Sequence, residues 1–219
     1  DSGLSAWIGY KDPNFYHLPF PYPWTTKDAH QNYNGAEHFR GDIQALKDGG
    51  LDFNNICGFM IESYQGWGAI FYPEDYIKEL FSFAKKYNIL VTFDDIQGGF
   101  GRTGKLFAYQ HYGVEPDLVC LGKALSGGLP LSAVMSRREI MDLPEAGSMS
   151  STHSANPLCC AAALANVEEV ESRDLPGESA RKGKILHSYL AKLKNKHPDY
   201  ISYVFGKGLL AAIIYRLWF

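Results

Sequence analysis

Apolar positions along this chain fall into two alternating patterns. Short unbroken runs at 56–61, 88–93, 118–121 and 131–136 have the length and make-up of strands buried in a sheet. Between the first two lies a segment with helical spacing, 73–87, which turns Tyr76, Leu80, Phe83 and Ala84 to one side and carries Pro73 in its first turn. Ahead of them, 37–47 places Phe39, Ile43 and Leu46 on one helical face and stops at Gly49-Gly50. Strand, helix and strand in repetition predict an α/β fold, with a mostly parallel sheet covered by helices on both faces.

Beyond the fourth run the pattern changes. A short helix is predicted at 137–141, and the small, polar stretch 145–155 reads as a loop. Asn156 caps an alanine-rich helix over 157–171. The segment 175–196 is amphipathic, with Ile185, Leu186, Leu190 and Leu193 on one side and lysines on the other. A last strand at 209–215 opens a second, smaller domain and has no strand partner in view. At the other end, residues 1–35 are rich in aromatics and proline, as in Phe20-Pro21-Tyr22-Pro23-Trp24, which excludes a helix and predicts an extended connector lying on a surface. The chain thus divides into 1–35, a large domain over 36–172, and 173–219 as a long helix with the start of the second domain.

Composition narrows the classes of partner. With 46% hydrophobic and 21% charged residues and a net charge of −3, the chain has the make-up of an ordinary globular protein. It holds no polybasic run that would suit nucleic acid or an anionic membrane. No apolar stretch approaches the roughly 20 residues that span a bilayer. No signal peptide is visible, and Cys57, Cys120, Cys159 and Cys160 lack zinc spacing, so buried free thiols in the cytoplasm are expected. His111 and His153 are isolated, without the acid and serine of a hydrolase triad or the spacing of a metal site.

Two strand ends carry the candidate chemistry. Lys123 follows the run 118–121 and Gly122, at the carboxyl edge where α/β proteins bind ligands. Taken alone, such a lysine more often just reaches out to solvent. About thirty residues upstream, however, the run 88–93 ends in Asp94. A carboxylate that keeps a pyridine nitrogen protonated and a lysine that holds an aldehyde as an imine are the two groups that pyridoxal phosphate chemistry needs.

The segments Phe93-Asp94-Asp95-Ile96-Gln97-Gly98-Gly99-Phe100-Gly101-Arg102-Thr103-Gly104-Lys105, Pro116-Asp117-Leu118 and Leu121-Gly122-Lys123-Ala124-Leu125-Ser126-Gly127-Gly128-Leu129-Pro130 resemble the class III (ornithine/GABA/acetylornithine-type) aminotransferases. The resemblance implies the large domain of a fold-type I transferase, incomplete at both ends, with pyridoxal 5'-phosphate as cofactor. It implies a homodimer that moves an amino group from an amine or amino acid to a keto acid. Lys123 would be the catalytic Schiff-base lysine and Asp94 the partner of the pyridine nitrogen. Ile96 stands at the position that packs on the ring and Gln97 at the one that bonds the phenolic oxygen, although core and turn roles stay equally open for both. Asp95 replaces the usual Glu as an ion-pair partner. Thr152 matches the residue that donates to the cofactor phosphate across the dimer interface.

Glu62 and Trp67 fall in the substrate pocket by the same resemblance, and Trp67 replaces an acid used by relatives that act on glutamate or GABA. An indole cannot form that acid's ion pair, so a bulkier or more apolar amine is expected. The glycines at 98, 99, 101 and 104 allow sharp turns but lack the nucleotide spacing, and Arg102 is expected to hold the loop. Neither a phosphate-cradling turn nor the family's ring-stacking aromatic is found upstream. Alternatives are a non-catalytic remnant that binds another chain and a related aminomutase or decarboxylase.

Overall fold

The structure, a computed structural model, describes residues 9–10, 12–24 and 33–216. Helix α1, Gly35–Asp48, begins where the Asn34 side chain accepts from the Glu37 amide and ends at Gly49, whose amide bonds the Ala45 carbonyl. A short turn, Phe53–Asn55, leads to β1, Gly58–Glu62. The brief antiparallel pair β2, Tyr64–Gln65, and β3, Ile70–Phe71, comes next, followed by α2, Glu74–Tyr87, which Pro73 precedes. Asn88 closes α2 in the left-handed conformation at φ 53°. The strand predicted from residue 88 therefore starts only at Leu90, as β4, Leu90–Asp94. Strands β5, Leu118–Leu121, and β6, Ala133–Ser136, complete a sheet of order β1-β4-β5-β6. Its first three strands are parallel and β6 runs antiparallel to β5.

Alternation along the strands separates two faces. Phe59, Ile61, Val91 and Phe93 turn toward α1 and α2 and pack with Phe39, Ile43, Tyr76, Ile77 and Leu80. On the opposite face Met60 is 66% exposed. The covering predicted for both faces is therefore present on one, and β1 is an edge strand, half-exposed where a buried strand was predicted. Among the cysteines only Cys159 is buried. Cys57 precedes the edge strand and Cys160 faces outward from its helix, so the expectation of buried thiols fails for both.

Helix α3, Arg138–Met141, is followed by a loop and by α4, Pro157–Ser172, with Asn156 accepting from the amides of Leu158 and Cys159. Helix α5, Leu175–Lys196, then leads to β7, Ile201–Phe205, and β8, Ala212–Tyr215, an antiparallel hairpin. The last strand does have a partner. Strand β7 escaped the sequence pattern because it is short and follows the helix after only the residues 197–200.

The amphipathic stripe expected of α5 is not what this helix buries: Ile185 is exposed, while Ser179 and Gly183 are its buried residues. Through them α5 meets the glycine-rich loop and the β7–β8 turn. The Arg102 carbonyl accepts both the Ser179 hydroxyl and the Leu209 amide at 3.0 Å. A Cβ on Gly183 would lie 2.4 Å from the carbonyl oxygen of Gly208, and one on Gly104 would lie 3.0 Å from Ala180 Cβ. Gly183→Ala is therefore expected to lower stability by about 1–3 kcal/mol, the range for overpacking a closed contact, read as an earlier urea midpoint at unchanged slope.

Candidate active site

Parallel pairing brings the carboxyl ends of β1, β4 and β5 to one edge of the sheet. Glu62 pairs with Asp94 and Asp94 with Cys120, so these three side chains share a face, while Ile61, Phe93 and Val119 point into the packed layers behind. Gly122 carries the chain out of β5, and Lys123 follows in the left-handed region at φ 39°. A lysine there costs roughly 1–2 kcal/mol, which the surrounding structure must offset. The tight turn Lys123–Ser126 is held from within by the Leu125 amide on the Gly122 carbonyl at 2.9 Å and by the Ser126 hydroxyl on the Leu129 carbonyl. From outside, Asn166 on α4 donates to the carbonyls of Ala124 at 2.7 Å and Leu125 at 3.3 Å. Lys123 itself is exposed.

The acidic side of the edge is equally built. Asp94 accepts the Ile96 amide at 3.0 Å, and this bond turns the chain so that Ile96 lies over Gly122. A Cβ on Gly122 would come within 3.1 Å of Ile96 Cγ2. Glu62 accepts the Gly66 amide at 3.2 Å, and a Cβ on Gly66 would lie 2.8 Å from both Glu62 Oε1 and Gln97 Oε1. Glu62 and Gln97 thus meet around Gly66, the residue before Trp67. Burial raises the Glu62 carboxyl above its usual range; the Gly66 amide lowers it, the Asp94 charge adds to the rise, and the Lys123 charge opposes it.

The chain matches the family model described as aminotransferase class-III over residues 1–215. It belongs to the class-III aminotransferases. Among curated relatives it is 41% identical over 175 residues to the probable mitochondrial ornithine aminotransferase of Caenorhabditis elegans, covering 79% of this chain and 40% of that protein. It is 39% identical over 173 residues to the leucine/methionine racemase of Thermococcus litoralis, covering 78% and 39%. A solved structure, the (S)-enantioselective omega-transaminase of Thermomicrobium roseum, superposes with a TM-score of 0.83 at 29% identity, over 98% of this chain and 51% of that one. The chain spans about 40% of the length of these two curated relatives and about half of that solved chain.

Other predicted positions of this class-III chain are distributed unevenly about the edge. Asp95 is buried and accepts the Tyr109 amide at 3.3 Å; no ion pair reaches it among the described residues, contrary to the role expected of it. Burial, first of all, raises its carboxyl. Thr152 lies exposed on the loop before α4. The Arg102 carbonyl ties its loop to the last hairpin and helix by accepting from Leu209 and Ser179. The pattern along the chain gave no role to Asn166, yet a lone amide on an alanine-rich helix was the available signal.

His111 closes the back of the glycine-rich loop. Its Nε2–H donates to the Thr103 carbonyl at 3.2 Å, and its ring meets Phe71 edge-on. Burial, with the nearby Lys207 charge, lowers its pKa from 6.5 to about 4. Protonation therefore favours the unfolded chain between those values, and the stability this histidine contributes is complete above about pH 6.5 and lost as pH falls toward 4. Urea unfolding at pH 7 and pH 4.5 is expected to show a larger loss for the native chain than for His111→Gln, which cannot take up the proton.

Proposed function

We propose that this protein is a pyridoxal 5'-phosphate-dependent aminotransferase that moves an amino group from an amine or amino acid to a keto acid. The observation that carries the proposal is the shared sheet edge, where strand register sets Glu62 beside Asp94 and Asp94 beside Cys120, with Lys123 at the exit of that third strand. Class-III aminotransferases depend on that cofactor. When bound, pyridoxal phosphate supplies a protonated aromatic ring that draws electrons from the amino-bearing carbon of the substrate. Gly66 and Gly122 let Glu62, Gln97 and Ile96 close in on the backbone at this edge, where a Cβ would collide with them.

Each residue has a task in this proposal. Lys123 Nζ would hold the cofactor and, once the substrate amine displaces it, would carry the proton from and to the substrate's amino-bearing carbon. The Asp94 carboxylate would keep the ring nitrogen protonated. The Gln97 amide would donate to the phenolic oxygen, and Ile96 would cover one ring face. Across the whole reaction, donor and acceptor exchange an amino group and a hydrogen for a carbonyl oxygen, so electrons balance without an outside oxidant.

A homodimer completes the proposal, with Thr152 donating to the phosphate held by the partner subunit. Helix α4 supports it: Leu158 and Leu164 are 70% and 62% exposed on a helix with apolar residues all round, the pattern of a helix meant for burial. For the compartment we propose the cytoplasm, whose reducing conditions suit free thiols. No described helix is long and apolar enough to cross a membrane.

Borohydride treatment of the cofactor-loaded protein is expected to leave a cofactor-sized adduct on Lys123 by peptide mass spectrometry, and Lys123→Ala to leave none; an unmodified Lys123 in the native protein would end the proposal. Asp94→Asn is expected to keep the adduct and slow turnover by about 10²-fold or more, the scale of losing one positioned charge. Product analysis separates transamination from a racemase-type reaction, which returns the proton to the amino-bearing carbon it came from and releases no keto product. Asn166→Ala is expected to slow turnover about tenfold by loosening the lysine turn, with the adduct still forming.

A further inference from the structure

The aromatic residues near Gly66 have no task in the chemistry above. Trp67 follows that glycine directly and is 61% exposed. Tyr22 and Trp24, from the proline-rich segment, stack with centroids 5.0 Å apart at 14°, and Trp67 leans on them at 6.0 and 6.1 Å. The Trp67 Nε1–H donates to the Tyr22 hydroxyl at 3.3 Å. An indole has only that one donor, so the outward surface of Trp67 is ring carbon. Trp24, 40% exposed, is backed by Tyr203 at 5.7 Å, which stacks on Phe205. This is a supported wall of rings beside the acidic edge.

We propose that Trp67, with Tyr22 and Trp24 behind it, forms the substrate-side wall of this site and selects amines that carry an aryl group over amines that carry a carboxylate. The inference rests on the assignment of Lys123 and Asp94 to the reacting centre. Charge complementarity decides which end of a ligand meets which surface. The Glu62 carboxylate attracts an ammonium and repels a second carboxylate, while the rings gain from an aryl face set against them. The wall's carbon surface gives a carboxylate no donor, and desolvating one there would go uncompensated.

The test compares benzylamine, butylamine and 4-aminobutanoate as amino donors for the full-length protein loaded with cofactor. The native protein is expected to favour benzylamine over butylamine by about tenfold in kcat/KM, most of it in KM, and 4-aminobutanoate is expected to be the poorest of the three. Trp67→Ala is expected to reduce the aryl preference to within about twofold, with the Lys123 adduct forming as before, and Trp67→Phe to restore most of it. An unchanged preference in Trp67→Ala, or a native preference for 4-aminobutanoate, would overturn the wall. Quenching of tryptophan fluorescence by benzylamine, lost in Trp67→Ala, gives a reading that needs no turnover, and its absence in the native protein would also overturn the proposal. Failure of the Lys123 adduct would instead overturn the assignment of the reacting centre, and the fluorescence titration would still decide whether the rings hold an arylamine.

Discussion

The register of three parallel strands is the constraint on which the rest of the structure depends. Glu62 beside Asp94, and Asp94 beside Cys120, put the charged ends of two strands and the exit of a third at one height and on one face. Side chains alternate along a strand, so a slip of one residue would turn Asp94 into the packed layer and Phe93 out to the edge. The core prevents that slip. Phe93 is fully buried, stacked on Phe81 and Tyr112, and Val91 and Ile77 are closed around it. Packing behind the sheet thus sets where the charges stand in front of it.

The chain leaves that frame through backbone that is either strained or tightly packed. Lys123 sits at positive φ, and contacts on both sides of its turn hold it there, one set local and one from Asn166 on α4. On the other exit, the glycine-rich loop uses its missing side chains for contact. A Cβ on Gly101 would meet Pro176, and Gly208 packs on the backbone of Thr103 and Gly104. These glycines join the sheet to α5 and the last hairpin. Their irregular spacing follows from that packing, since each answers a different neighbour.

Two chemistries meet at the front edge. Glu62 and Asp94 place negative charge at the edge that Lys123 leaves, and a glycine on each side lets Glu62, Gln97 and Ile96 approach the backbone closely. Beside them stand rings drawn from three distant parts of the chain: residues 20–24, Trp67 and β7. The first of these parts is extended because its prolines forbid a helix, and the last is a strand that presents Tyr203 and Phe205 on one face.

Local pattern alone determined much of this protein. Leu118–Leu121 and Leu175–Lys196 were legible to the residue, because an apolar run bounded by glycine and a helix begun by Asp174 and proline carry their own boundaries. Asp94 and Lys123 were legible as strand ends, and the ordered motifs around them named the family. Tertiary structure alone decided what touches what. It decided that the lysine turn is tied down by Asn166, that Asp95 is buried on a backbone amide with no ion pair among the described residues, and that α5 docks through Ser179 and Gly183 while its apolar stripe stays partly exposed. It also joined Tyr22, Trp24 and Trp67 into one wall. The physical reason is the same throughout: periodicity reports the surroundings of a residue averaged along its own segment, whereas a close approach between segments depends on the shape and register of both partners, and that is encoded in neither one.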